Sequence, residues 1–240
     1  MIAAGMLLLL VSSGCGEAQR NIESSVRYEL PMERRVVVET VVDLSFDETW
    51  DELIRRLSEG SFQVSTLERA SRFVSVELNR SSDLAAQANR PARYVDCGRT
   101  LRTFAGGGQD DRFEYDVAQS SEHRESDPVE GGFRVSDVAR RVELSAQATL
   151  YLQPEGQHRT RVTLNARYKV DIEISGTARV VPLDPDDAPG PARPFGPRVE
   201  SVRFTTHSPG RDQRQGGLTC RATGDLEHAL IALANPAAVI

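Results

Sequence analysis

Lysine is almost missing from this chain: Lys169 is the only one in 240 residues, so arginine carries nearly all the positive charge. Acidic residues outnumber basic ones by 35 to 29, and the two signs are mixed along the chain rather than blocked. The basic stripe of a nucleic-acid protein is absent, and nucleic acid is not an expected partner. No apolar run reaches the roughly 20 residues that cross a bilayer, which argues against a permanent transmembrane helix. His123, His158, His207 and His228 are scattered, three of them in or beside expected loops, and no Cys-x-x-Cys occurs, so the spacings of a zinc site are missing. There is no Gly-x-Ser-x-Gly elbow, and Gly106-Gly107-Gly108 lacks the Lys-Ser/Thr that completes a phosphate loop. Asp110-Asp111 and Asp184 with Asp186-Asp187 have calcium-ligand chemistry, but they and Arg140-Arg141 read as solvated charges. No cofactor or metal is expected, and the chain is not expected to be an enzyme.

What is present begins at the N-terminus. Residues 1–14 carry no charge, contain the apolar run Met6-Leu7-Leu8-Leu9-Leu10-Val11, and pass through Ser12-Ser13-Gly14 into Cys15. An apolar stretch followed by small residues is the build of a signal peptide and its cleavage site. Ser13-Gly14-Cys15 resembles the lipobox of bacterial lipoproteins, in which the cysteine receives diacylglycerol, becomes the new N-terminus and is acylated again. The resemblance implies that Cys15 is a lipidation site and that the chain is membrane-anchored, since two acyl chains already hold a protein stably. Gly16 offers no aspartate-type retention signal, so the resemblance points to the outer membrane, facing the periplasm or the cell surface.

Setting Cys15 aside leaves Cys97 and Cys220, an even number. In an exported chain such a pair can close a disulfide; the alternative is two buried free thiols acting as small hydrophobes. The polar, irregular stretch 15–35 reads as the lipidated cysteine and a flexible tether reaching several tens of ångströms. A single folded domain is expected over 36–240.

Within it, Val36, Val38, Thr40, Val42 and Leu44 alternate with more polar positions as in a half-buried strand. Ser45 and Glu48 have capping-box spacing, and Phe46, Trp50, Leu53, Ile54 and Leu57 fall on one helical face that Gly60 ends. Trp50, the sole tryptophan, reads as a core anchor. Runs from Phe62 and from Phe73 predict a hairpin, and Tyr94 to Gly98 a short strand carrying Cys97. A long polar loop is expected near 102–141. Leu144 to Leu152 and Val162 to Ile172 alternate clearly and predict a long antiparallel hairpin. Half the prolines lie between Pro182 and Pro197, predicting a loop near 182–198, then a last strand from Val199. Thr223 is placed to cap a terminal helix with Asp225 and Glu227 in its first turn and an apolar stripe of Leu226, Ala229, Leu230 and Leu233.

The expected fold class is therefore α+β: a curved antiparallel sheet, a helix after the first strand, and a C-terminal helix packed on the sheet. Asp43-Leu44-Ser45-Phe46-Asp47, Trp50-Asp51, Leu53, Phe62, Val64 and Phe73-Val74-Ser75-Val76 are similar to the repeated domain of the BamC (NlpB) lipoproteins, accessory parts of the outer-membrane β-barrel assembly machine, and to helix-grip folds generally. The resemblance covers about 40 residues and bears on fold. The expected function is a membrane-anchored, non-catalytic structural or interaction module with another envelope protein as partner. The alternative is a carrier that grips a small apolar molecule or lipid between sheet and terminal helix.

Overall fold

In the computed structural model residues 23–60, 62–81, 93–106, 109–211 and 217–235 are described. In chain order the elements are β1 (Glu23–Glu29), β2 (Glu39–Val42), α1 (Phe46–Glu59), β3 (Gln63–Glu68), β4 (Phe73–Ser81), β5 (Val95–Asp96), β6 (Arg99–Gly106), β7 (Gln109–Asp116), β8 (Ser121–Val129), β9 (Gly132–Pro154), β10 (Thr160–Pro182), β11 (Arg193–Thr205), β12 (Gly210–Arg211), β13 (Thr219–Ala222) and α2 (Asp225–Ala234). The molecule is mostly antiparallel β-sheet, the sheets are open, and two helices complete it.

The spine is the β9–β10 ribbon, paired from Thr160 opposite Pro154 to Pro182 opposite Gly132. At about 3.3 Å per residue it would be roughly 70 Å long if straight. Neighbours divide its length. On the β10 side, β2 pairs with Thr160–Thr163 and β11 with the stretch from Arg167 to Ala178. On the β9 side, β4 pairs over Glu143 to Tyr151 and β8 over Gly132 to Arg140, while β3 adds outside β4. The expected alternation is present: Val162, Leu164, Ala166, Tyr168, Val170 and Ile172 are buried, opposite Leu152, Leu150, Ala148, Ala146 and Val142. Because directly opposed residues share a face, these ten or so side chains form one dry surface.

α1 and α2 lie on that surface and touch each other. Ser45 caps α1 as its spacing predicts: its Oγ accepts the Glu48 N–H at 3.4 Å, and Glu48 Oε2 accepts the Ser45 N–H at 3.0 Å. Trp50, Leu53 and Leu57 are fully buried, each contributing roughly 1.5–3 kcal/mol. Leu226, Leu230, Ile231 and Ala234 do the same for α2. Gly224, at φ 93°, is the cap of α2, not Thr223; Thr223 Oγ1 accepts the Asp225 N–H at 3.3 Å and donates to Arg93 O at 2.7 Å.

Three expectations about loops are corrected. The tether ends earlier than residue 35: Glu23–Glu29 is a strand on β6, with Tyr28 packed against the core. The α1 helix accordingly follows the second strand of the described chain. The polar stretch 102–141 is no loop but β6, β7, β8 and the first part of β9. Its strands are stitched by charge, with Arg99 on Glu114, Arg102 on Glu125 and Asp127, and Arg124 on Asp137, so their faces lack the apolar alternation that betrays a strand. The proline-rich loop shrinks to 183–192, because β11 starts at Arg193. Pro194 and Pro197 are tolerated because β11 is the outermost strand on that side and bulges opposite Ser175, between the Ile174–Arg198 and Gly176–Phe195 pairs. Nor is β11 the last strand, since β12 and β13 follow and form a small sheet with β5.

Candidate functional site

Cys15, the expected lipid site, lies outside the described residues. Cys97 and Cys220 are joined by a disulfide with their Cα atoms 4.1 Å apart, and neither residue is exposed. The bond links the end of β5 to β13, two strands that also pair through Asp96–Arg221 and Val95–Ala222. Tyr28 ties β1 into the same place. Its hydroxyl stands 2.9 Å from Cys97 O and 3.0 Å from Thr219 O, sharing one proton between them, and accepts the Thr219 N–H. Burial pushes that phenol up from its ordinary pKa.

A second constellation sits where the β1–β6–β7 sheet meets β8. His123, expected in a loop, is mid-strand on β8 with its side chain only 1% exposed. Its ring stacks on Phe113 at 4.1 Å and on Tyr115 at 5.1 Å, both from β7. His123 Nε2 is 2.8 Å from Glu125 Oε1, and Ser121 Oγ is 3.4 Å from Nδ1. Glu125 also faces Arg102, which reaches on to Asp127 at 3.0 Å. Burial opposes ionisation of Glu125, but the His123 hydrogen bond and the Arg102 charge outweigh it and hold the carboxyl below its ordinary range. Arg140 closes the end of the row. It is buried, not solvated as its sequence context implies, lies 4.4 Å from the Tyr115 ring centre, and donates to Val117 O at 3.1 Å. Ser, His and Glu are the residue types of an acid–base relay; here the imidazole is covered by the neighbouring Phe113 and Tyr115 rings and its side chain is almost wholly buried. The row acts as a lock between sheets: Arg102 of β6 and Phe113 and Tyr115 of β7 hold β8, and Asp111 of β7 takes a hydrogen bond from Ser126 as well.

A third group lies under α2. Glu227, read from sequence as a first-turn carboxylate that opposes the helix dipole, is 0% exposed. Its Oε1 accepts from Tyr168 Oη at 2.6 Å and from Thr206 Oγ1 at 2.8 Å, while its Oε2 has no partner. Burial, and then the Glu227 carboxylate, push the Tyr168 phenol well above its ordinary pKa. Tyr168 stacks on Phe204 at 4.9 Å, which fixes its ring. The group joins α2, β10 and the end of β11 and is closed to solvent.

A cleft of about 520 Å³ opens elsewhere, between β1, β6 and β8, lined by Glu23, Ser24, Ser25 and Thr103 with Phe104 and Pro128. Of the acidic pairs weighed for calcium, Asp111 serves β8, and Asp184 accepts the Asp186 N–H at 3.0 Å. Among the described residues no three His, Cys, Asp or Glu side chains converge as metal ligands. Sequence reasoning missed the His123 and Glu227 groups. The alternation Ser121, His123, Glu125, Asp127 was the available signal for the first, a strand whose inward face is polar. Comparison with protein-family models, curated proteins and solved structures finds no match.

Proposed function

We propose that this chain is an exported lipoprotein of the bacterial envelope, held by lipid on Cys15 at the outer membrane, and that its domain is a non-catalytic structural or interaction module facing the periplasm or cell surface. The Cys97–Cys220 disulfide carries this reading. Such a bridge persists in an oxidising space outside the cytoplasm, and pairing these two leaves Cys15 the odd cysteine of three. The polar constellations support a non-catalytic role, because His123 and Glu227 are both sealed. The outer edge of β3, unpaired among the described residues and exposing Val64 and Leu67, is the kind of surface a protein partner uses.

A finer fold reading goes with it. A short strand, α1, a hairpin and a terminal helix on the same sheet face support a helix-grip arrangement similar to the BamC lipoproteins, and with it an accessory role in outer-membrane assembly. The carrier alternative is less favoured, because Leu226, Leu230, Ala166 and Tyr168 fill the grip between sheet and α2. Cross-linking in intact cells followed by purification is expected to recover one specific envelope protein, with lipid on Cys15 by mass spectrometry of the same sample. Repeated recovery of the protein alone, with Cys15 unmodified, rejects the proposal.

A further inference from the structure

Between β1 and β2 the chain runs as an irregular strap over residues 30–38. It is held from beneath. The Met32 N–H donates to Asp96 Oδ2 at 3.1 Å, Pro31 is buried, Val36 lies against the α2 cap at Gly224, and Val38 O accepts the Leu164 N–H at 2.8 Å. Its outward side chains are unusual for a surface. Leu30, Met32 and Val37 are 60–66% exposed, and Val26 on the preceding strand is 58% exposed. The acidic residues around them are neutralised locally, Glu29 by Arg27, Glu33 by Arg221 and Glu39 by Arg161. Arg34 and Arg35 are exposed and have no ion-pair partner among the described residues.

We infer that this strap is a bilayer-docking surface, its apolar side chains entering the interface of an anionic membrane while Arg34 and Arg35 meet lipid phosphates. Apolar side chains flanked by unneutralised arginines match the headgroup–acyl boundary, where both find partners at once. Guanidinium pairs bidentately with phosphate, which suits arginine better than lysine for the second half of that contact. Chain length supports the occupant. Only residues 16–22 separate Cys15 from Glu23, so the start of β1 stands at most roughly 28 Å from the lipidated residue, and β1 leads directly into the strap. The inference rests on the anchor proposed above and adds to it an orientation: the strap faces the bilayer, and the β3 edge is left for a protein partner.

The test uses the full lipidated protein in vesicles of phosphatidylethanolamine and phosphatidylglycerol with brominated acyl chains. A bimane fluorophore is attached through Met32→Cys, and in a second sample through Val64→Cys on the β3 edge. The label at position 32 is expected to lose most of its emission to the brominated lipid, and the label at 64 to keep it. Combining Met32→Cys with Arg34→Gln and Arg35→Gln should restore emission while the protein still floats with the vesicles and its circular-dichroism melt is unchanged. Equal emission from 32 and 64 in floating protein overturns the strap's role and leaves the anchor standing. Protein that does not float overturns both.

Discussion

Glu227 and Glu125 show two ways of burying a carboxylate. Glu227 is enclosed with hydroxyl donors only, from Tyr168 and Thr206, and one of its oxygens receives nothing. Removing a donor to a buried acceptor costs the desolvation it no longer offsets, about 1–3 kcal/mol. Tyr168→Phe is therefore expected to lower unfolding free energy by that amount, read from urea titrations, although it deletes a single oxygen. Glu125 is held by opposite charge, and its carboxyl sits below the ordinary range. A depressed folded value means that the stabilisation is complete above the ordinary glutamate pKa of about 4.3 and fades as pH falls through the lower folded value. Glu125 is partly reached by solvent, so the effect is about 1 kcal/mol or less. Unfolding curves at about pH 6 and about pH 3 are expected to show wild type losing more stability on acidification than Glu125→Gln. Equal losses in the two proteins would place the acid sensitivity elsewhere.

At the scale of elements, α1 is the piece whose sequence and geometry agree most closely. Ser45→Ala removes the hydroxyl half of its capping box, leaving the backbone N–H of residue 45 to the Glu48 carboxylate, and is expected to cost about 1 kcal/mol by denaturant titration. The spacing of Ser45, Glu48, Trp50, Leu53 and Leu57 made this helix legible, because cap and stripe are local properties of the chain. The β9–β10 ribbon was legible over Val142–Ile172, where one face is aliphatic. Its outer half was not, since Arg134, Asp137, Arg140 and Arg141 have no apolar alternation to show. β6, β7 and β8 were hidden for the same reason: their partners are charges and rings on other strands, so the alternation that β8 carries is polar rather than apolar. β11 was half hidden by prolines, which the bulge at Gly196 accommodates. Gly196 has φ 76°, and a Cβ there would come within 2.4 Å of Ile174 O, so the turn of the chain demands glycine.

For the molecule as a whole, the disulfide is the longest-range covalent constraint, joining residues 123 apart. A chain-entropy treatment of a loop of that size gives about 4–5 kcal/mol, so a Cys97→Ala, Cys220→Ala double variant is expected to melt well below wild type by circular dichroism. The loss should match that of reduced wild-type protein. The even cysteine remainder announced this bond as one of two alternatives, and the tertiary structure chose it by pairing β5 with β13. By itself the sequence determined what depends on neighbours along the chain: the helices, the aliphatic half of the ribbon, the apolar run and small residues before Cys15. The tertiary structure decided what depends on residues far apart, namely the β1–β6–β7 sheet locked onto β8 through His123 and Arg102, the burial of Glu227, and the exposed strap. Local patterns record how one segment meets water, whereas these features arise where the polar groups of one segment satisfy those of another, and no single segment carries that information.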